Sequence, residues 1–198
     1  MSKIVLIDGE NLFYGLRRLV GGEELASREV FQSYDFRGLI EELLADDLPS
    51  EILWFGARLR QYDETPELLT KTKRAIYLQS KLVNLLQSQK IPFIKVGYLR
   101  AREAESCPNC GQQEWKLLEK GVDVGVAARM MQEAASGREI VLMSADTDLL
   151  PAIRASNKSS KVMYIGYEYQ PISALSRQAY ATRIITKPLA QKYLKADT

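Results

Sequence analysis

Hydrophobic and polar positions alternate along this chain in blocks that predict strands and helices in turn. The run from Lys3 to Asp8 is short, apolar and rich in β-branched residues, as is typical of a strand buried on both faces of a parallel sheet. Similar patterns predict further strands at Ile52 to Leu59, Ile91 to Leu99, Glu139 to Ser144, Lys161 to Ile165 and Arg183 to Thr186.

Helical patterns separate these strands. Gly9 to Arg18 is interpreted as a turn followed by a helix, and Asp35 is expected to cap a helix over Phe36 to Ala45. Thr65 and Pro66 open a long helical pattern that runs to about Gln89. The remaining helices are predicted at Val122 to Ala135, Leu149 to Ala155 and Ile172 to Ala179. Strands that alternate with helices predict an α/β fold with a doubly wound, mainly parallel sheet of about five strands.

One segment, residues 100–119, breaks this rhythm within what is otherwise expected to be a single domain over residues 1–198. It is polar and charged, and we interpret it as an inserted loop or hairpin centred on Cys107-Pro-Asn-Cys110-Gly. Structural zinc usually takes four cysteine or histidine ligands, so Cys107 and Cys110 make half of a zinc site, which a homodimer sharing one ion would complete. A reduced, unliganded turn is the favoured interpretation, and a redox pair is the third.

Composition excludes several classes of protein. The chain has 27 basic and 25 acidic residues, and the resulting formal charge of +2 is too small for the whole surface to act as a polycation. It has no histidine, which excludes catalysis by an imidazole base and the common histidine-rich zinc sites. Neither a signal sequence nor a stretch approaching the ~20 apolar residues of a membrane span is present, so we expect a cytoplasmic protein without membrane contact. The G-x-G-x-x-G and Walker motifs of dehydrogenases and ATPases are also missing.

Four aspartates stand where a metal site would be built, at the ends of predicted strands or the starts of predicted helices. Asp8 ends the first strand, Asp123 follows Lys120-Gly-Val, and Asp146 and Asp148 follow the strand that ends at Ser144. Each aspartate alone is explained equally well as a helix cap or a turn residue. Because ligand sites in open α/β sheets lie beyond the carboxyl ends of strands, these four are expected to converge. A carboxylate cluster without a cation is disfavoured by repulsion, and its oxygens suit Mg²⁺ or Mn²⁺.

Three ordered motifs carry a resemblance to a known family. They are Ile7-Asp8-Gly9-Glu10-Asn11-Leu12, Glu119-Lys120-Gly121-Val122-Asp123-Val124, and Ser144-Ala145-Asp146-Thr147-Asp148-Leu149 with Pro151. This set closely resembles the NYN domain, a group of PIN-like nucleases, over roughly Met1 to Thr186. The resemblance implies a PIN-like three-layer fold and a metal-dependent ribonuclease. It also implies an acidic constellation with Asn11 beside it, formed by Asp8, Asp123, Asp146 and Asp148.

Divalent ions at such a site would activate water and clamp a phosphodiester, leaving a 5′-phosphate and a 3′-hydroxyl. We therefore expect an (endo)ribonuclease whose partner is RNA. Arg58 and Arg60 at a strand end, and Lys120 ahead of Asp123, are the candidate RNA contacts. Ser144 and Thr147 are expected beside the carboxylates, as hydrogen-bond donors to them or to the substrate.

Two alternatives stay open at this point. The first is an RNA-binding or regulatory adaptor that keeps the fold without catalysis. The second is a metal-dependent phosphatase that uses Asp146-Thr-Asp148, although Asp8-Gly-Glu10 only partly matches the Asp-x-Asp arrangement expected for its nucleophile.

Overall fold

The computed structural model describes residues 2–21, 28–45, 47–104 and 115–194. Over these ranges seven strands form one sheet, in the order β4-β3-β2-β1-β5-β6-β7. The strands are β1 (Lys3–Asp8), β2 (Glu51–Arg58), β3 (Phe93–Glu103), β4 (Trp115–Lys120), β5 (Glu139–Met143), β6 (Val162–Tyr167) and β7 (Ala181–Ile185).

The sheet is mostly parallel, as the alternating pattern predicted, but it is larger than the expected five strands. Six strands are parallel to their neighbours, whereas β4 pairs antiparallel with β3. Strand β4 is absent from the predicted strands because its short sequence, Trp-Lys-Leu-Leu-Glu-Lys, lies inside the polar segment that was interpreted as an inserted loop or hairpin. The described ends of that segment form a hairpin.

Helices cover both faces of the sheet because consecutive residues of its central strands are apolar and point to opposite faces. In β1 every residue is buried; Val5 and Ile7 pack in one cluster and Ile4 and Leu6 in the other. The first layer contains α1 (Gly9–Gly21), α2 (Phe36–Leu44), α3 (Pro66–Ser88) and α7 (Lys187–Lys192). The second contains α4 (Val122–Ala135), α5 (Leu150–Ser156) and α6 (Ala174–Gln178). Short 3-10 helices span Arg28–Phe31 and Thr147–Leu149.

Side-chain caps fix where two of the helices begin. The Gly38 amide donates to the carboxylate of Asp35 at 2.8 Å, and the Leu68 amide donates to the hydroxyl of Thr65 at 3.1 Å. Each cap satisfies an amide that has no partner within its own helix. The starts of α2 and α3 predicted from these residues are therefore confirmed.

Strand order places a crevice beside β1. The chain runs outward from β1 through β2 to β3, and later returns to the other side of β1 as β5. The connections that follow β1 and β5 leave the sheet toward opposite sides, so a crevice remains between them at the carboxyl edge. Open α/β proteins bind their ligands in such a crevice. Asp8 ends β1, and Asp146 lies three residues beyond the end of β5, so both belong to this crevice.

A two-stranded arm extends the sheet past its carboxyl edge. Pairing between β2 and β3 ends at Arg58 and Tyr98, after which β3 continues to Glu103 and pairs only with β4. We call this hairpin, Tyr98–Glu103 with Trp115–Lys120, the arm. A bulge marks its base at Gly97, whose φ is 61° and where an added Cβ would lie 2.1 Å from the Lys120 carbonyl oxygen.

The arm accounts for the two ends of the segment 100–119. The predicted turn with Cys107 and Cys110, and with it the zinc half-site, lies outside the described residues. No helix in the described part of the chain is long and apolar enough to cross a membrane.

Candidate metal centre

Asp8 lies at the floor of the crevice, where β1 meets α1. Its residue is 4% exposed, and both carboxylate oxygens accept hydrogen bonds. The Asn11 backbone amide donates to Oδ1 at 3.2 Å, and the Asn11 side-chain amide donates to Oδ2 at 2.8 Å. Burial raises the pKa of Asp8, the charge of Asp146 adds to this rise, and the hydrogen bonds from Asn11 and Ser144 oppose it.

The turn after Asp8 is tight because helix α1 begins at the next residue, Gly9. An added Cβ at Gly9 would lie 2.2 Å from Nε1 of Trp54 and 2.8 Å from the carbonyl oxygen of Phe55. No side chain other than hydrogen fits this space without displacing strand β2. The glycine therefore brings the start of α1 against β2 and fixes the direction of the Asp8 carboxylate.

Three further aspartates converge at the same edge of the sheet. Asp123 lies in the first turn of α4, and Asp146 and Asp148 follow β5. Each offers one carboxylate oxygen to a group in which all three atoms lie within 4.8 Å of one another. Asp123 and Asp146 are half-buried and Asp148 is exposed, so the group opens to solvent. The expected convergence holds for these three, and Asp8 lies beneath them rather than within the group.

Ser144 links the buried aspartate to the exposed group. It is completely buried, and its hydroxyl donates to Oδ2 of Asp8 at 3.3 Å. The hydroxyl oxygen of Ser144 also accepts a hydrogen bond from the backbone amide of Asp146 at 3.2 Å. One hydroxyl thus fixes the ends of β1 and β5 relative to each other. This placement agrees with the expected hydrogen bond from Ser144 to a carboxylate.

Capping and convergence occur together at this site. Asp8 accepts the Asn11 amide in the first turn of α1, and Asp146 accepts the Asp148 amide at 2.9 Å and caps the 3-10 helix. Asp148 and Asp123 make no such cap, since α5 and α4 begin without a side-chain cap. The capping bond of Asp146 uses Oδ1 and leaves Oδ2 available as a ligand, whereas both oxygens of Asp8 already accept hydrogen bonds.

The ion pairs of the described residues do not include these acids. Among residues 2–21, 28–45, 47–104 and 115–194, none of the four aspartates forms an ion pair with lysine or arginine. The three grouped carboxylates, which have no cationic partner in these ranges, offer the hard oxygen donors that Mg²⁺ and Mn²⁺ prefer.

The residues expected to contact substrate surround this edge. Arg58 is exposed at the end of β2, and the guanidinium of Arg60 lies 4.3 Å from the centre of the Tyr62 ring. Lys120 is exposed at the end of β4, and Thr147 is exposed in the 3-10 helix between Asp146 and Asp148.

Glu119 is a further acid near this site that the sequence patterns did not single out. It is half-buried in β4, and burial together with the charges of Glu10 and Asp8 raises its pKa to about 7. Glu10 itself pairs with Arg28. The available signal was an acid at an inward position of the alternating strand Trp115–Lys120. Recognising that position required knowing that the segment is a strand.

Comparisons with known proteins agree with the motifs. The sequence model of the NYN domain matches residues 3–187, so the resemblance seen in the three motifs is confirmed. The fold is similar to the crystal structure of a protein of unknown function from Vibrio parahaemolyticus, with a TM-score of 0.56 and 16% identity over 93% of this chain and 92% of that one. At this identity the similarity concerns the fold alone. No curated protein matches the sequence.

Proposed function

Because the chain belongs to the NYN domain family of PIN-like nucleases, we propose that it is a divalent-metal-dependent ribonuclease that cleaves phosphodiester bonds within RNA and leaves 5′-phosphate and 3′-hydroxyl ends. The observation that carries this proposal is the group formed by Asp123, Asp146 and Asp148, which lies at the carboxyl edge of the sheet.

The three grouped aspartates would hold Mg²⁺ or Mn²⁺, with Asp8 beside them. A bound ion supplies a lowered pKa for water and stabilisation of the charge that develops on the phosphodiester. Carboxylate ligands must be ionised to bind it. Asp8 would add a further negative charge at the floor of the site, and its raised pKa indicates that this charge is unfavourable until a cation is nearby.

Asn11 and Ser144 would orient the Asp8 carboxylate. Asn11 donates twice to Asp8 and accepts a hydrogen bond from the Tyr167 hydroxyl at 3.2 Å through its carbonyl. Since the Asn11 amide nitrogen already donates to Asp8, its proposed part is to fix that carboxylate. Ser144 fixes the same carboxylate from the β5 side.

The arm offers a surface suited to a polyanion. Cross-strand pairs Tyr98 with Lys120, Arg100 with Leu118, and Arg102 with Lys116 direct six side chains to one exposed face. This face carries four basic side chains, one tyrosine and no acid, and its lysine at position 120 lies three residues before Asp123. Basic groups contact the phosphates of a strand, and an aromatic ring stacks on a base. Arg58 and Arg60 extend the same basic character to the end of β2, and Thr147 is exposed beside the acids.

The decisive experiment compares RNA cleavage by wild-type protein and two matched aspartate variants in Mn²⁺, Mg²⁺ or EDTA. Asp146→Asn removes a proposed ligand but keeps the oxygen that accepts the Asp148 amide. Asp47→Asn makes the same change at an exposed carboxylate that pairs with Lys3 at the opposite edge. We expect metal-dependent cleavage by wild type and Asp47→Asn, and a loss of more than about 100-fold in Asp146→Asn, because even an outer contact to a metal ligand is worth 10–100-fold.

The same proteins, tested also for RNA binding and for hydrolysis of a small phosphomonoester, separate the alternatives. Cleavage in EDTA, or cleavage retained by Asp146→Asn, contradicts the proposed metal centre. RNA binding without cleavage in any metal indicates the adaptor. Hydrolysis of a small phosphomonoester with no attack on RNA indicates the phosphatase.

A further inference from the structure

A cavity of about 460 Å³ lies between helix α3 and the sheet. It exists because α3 is buried near its two ends and stands away from the sheet between them. Leu68 and Thr72 are buried near the N-terminus and Leu86 near the C-terminus, whereas the inward residues Ala75 and Leu78 are only half-buried. The gap under the middle turns of the helix is the cavity, and its volume is in the range of binding pockets for small organic groups.

Aromatic rings form much of its wall. Phe13 of α1, Trp54 of β2, Phe93 of β3 and Trp115 of β4 line it, together with apolar side chains of α3. Among the polar side chains of the lining, two belong to the central elements of the wall. Glu119 projects from β4, and Gln79 of α3 donates across the cavity to the carbonyl of Ala57 at 3.0 Å. Flat apolar walls with a few directed polar groups suit a flat heteroaromatic ring.

The cavity adjoins the acidic site. Gly9 and Glu10, which directly follow Asp8, are part of its wall. Glu119 is four residues before Asp123, and the charge of Asp8 contributes to its raised pKa. The arm separates two surfaces here, since Leu99, Trp115, Leu117 and Glu119 line the cavity while their neighbours form the basic face. The cavity wall and the basic face are therefore the two faces of one hairpin, and the cavity wall also includes the two residues that follow Asp8.

The charges around the cavity favour an anionic ligand. Its lining includes the basic side chains of Arg28, Lys71, Arg74 and Lys81, against the acids Glu10 and Glu119. Arg28 pairs with Glu10 of the wall, whereas Lys71 and Arg74 pair with Glu67 and Glu29, which are not part of it. The basic groups of the lining therefore outnumber its acids by four to two. A purely apolar occupant, such as a lipid chain, would gain nothing from four basic groups. A nucleotide uses both the rings and the charges.

We propose that this cavity binds one base extruded from the RNA strand next to the bond that is cut, and that Glu119 and Gln79 read the edge of that base. The inference rests on the proposed function and deepens it by assigning base preference to a specific pocket. Enzymes that act on an extruded nucleotide hold its base between aromatic and apolar side chains and recognise its polar edge by hydrogen bonds.

The cavity contains its own reporter. The chain has two tryptophans, and both line the cavity. We would titrate the protein in EDTA with each nucleoside 5′-monophosphate and with a short unstructured RNA, and follow tryptophan fluorescence. Binding inside the cavity is expected to quench the fluorescence, and the chelator makes this result independent of cleavage.

Two variants fill the cavity, and one control does not. Ala75→Phe and Leu78→Phe enlarge side chains on its α3 wall, and Ala135→Phe makes the same kind of change at an exposed position near the end of α4. Both filling variants are expected to weaken binding of the RNA by about tenfold or more, since stacking of one base is worth roughly that factor. The control is expected to bind as wild type. Thermal unfolding checks that each variant is folded, and the use of two positions covers the failure of either one.

Glu119→Gln tests recognition of the base edge. It keeps the size of the side chain and changes its hydrogen-bonding groups, so it is expected to alter the ranking of the four monophosphates while quenching persists. An unchanged ranking overturns the role given to Glu119.

The remaining outcomes are also decisive. Equal RNA binding by wild type and both filling variants overturns the proposed base pocket. Binding of an apolar fluorescent dye in the cavity, when neither nucleotide nor RNA quenches the tryptophan fluorescence, also overturns it. RNA cleavage without quenching of the tryptophan fluorescence would support the proposed nuclease activity and contradict the proposed base pocket. Quenching abolished by the filling variants, but without cleavage in any metal, would confirm a base pocket and remove the nuclease.

Discussion

The two edges of the sheet carry the same kinds of charged residue but treat them in opposite ways. At the amino edge, buried Lys3 pairs with Asp47 and lies 3.7 Å from Glu139. Arg138 there pairs with Glu51 and Glu133, both at 3.0 Å. At the carboxyl edge, the four aspartates of the crevice have no basic partner among the described residues.

This difference separates charges that serve the fold from charges reserved for a ligand. The ion pairs at the amino edge are formed between residues of the chain itself. The carboxylates at the other edge repel one another, and the pKa of Asp8 rises because its charge is buried beside Asp146. A region that is unfavourable until a partner arrives is typical of a functional site, where stability is given up for chemistry. The contrast can be tested at each edge separately.

The largest effect is expected when Mn²⁺ is added to the carboxyl edge. An ion that binds only the folded protein raises the free energy of unfolding by about 2.7 kcal/mol at 100 times its Kd. For a chain of this size that corresponds to roughly 5–10 °C in Tm. Asp123→Asn is expected to lose most of this gain, whereas Asp47→Asn at the amino edge keeps it. Thermal unfolding with and without EDTA measures the shift, and no rise in Tm at millimolar Mn²⁺ would contradict the metal site.

The next effect concerns the amino edge. Arg138→Met should lower the free energy of unfolding, measured by urea denaturation, by about 2 kcal/mol. The side chain of Glu133 is 7% exposed, and the substitution leaves Arg129 as its remaining partner. Cleavage of RNA by the folded variant should be unchanged. Lys161→Met is the matched control, since Lys161 is 54% exposed and 3.8 Å from Glu139, and a smaller loss is expected. Equal losses in the two variants would mean that burial does not distinguish these pairs.

The smallest effect is a dependence on pH at Glu119. Its pKa is raised from 4.5 to about 7, chiefly by burial and then by the charges of Glu10 and Asp8, while Arg28 opposes the rise. The folded protein therefore holds this proton more tightly than the unfolded chain does. The contribution of Glu119 to stability is therefore fully present below pH 4.5 and is lost as the pH rises toward 7. Above that range, Glu119→Gln in EDTA should be more stable than wild type by about 1–2 kcal/mol, a value reduced for partial exposure.

Urea unfolding across this pH range checks the sign. The exposed Glu64→Gln serves as the control variant. A wild-type protein whose stability rises between pH 4.5 and 7 relative to Glu119→Gln would show that the carboxylate is stabilised rather than strained.

Local chemistry made much of the fold predictable. Asp35 and Thr65 predicted helix starts because their side chains accept hydrogen bonds from backbone amides that have no partner within the helix. The run Lys3–Asp8 predicted a buried strand because consecutive apolar residues give it two apolar faces. Strand β4 was not predicted as part of the sheet because Trp115–Lys120 pairs only with the projecting end of β3, and the segment was interpreted as an inserted loop or hairpin.

The candidate site was predictable in position more than in detail. The acids could be placed at one edge because each stands at the end of an element. The separation of Asp8 from the other three depends on the turn at Gly9 and on the link through Ser144, which are matters of packing. The cavity was beyond prediction for a similar reason. The apolar positions of α3 indicate a buried helix, and nothing in their spacing shows that its middle stands clear of the sheet.

The arm has one more consequence, for how this protein avoids its own copies. Strand β4 is the outermost strand of the sheet, so its free backbone groups could recruit a strand from another molecule. Lys116 and Lys120 are exposed on this strand and would bring like charges together in any such pairing. The lysines proposed to contact RNA are therefore also expected to oppose strand-to-strand aggregation. A protein in which both lysines are replaced by neutral residues should precipitate more readily.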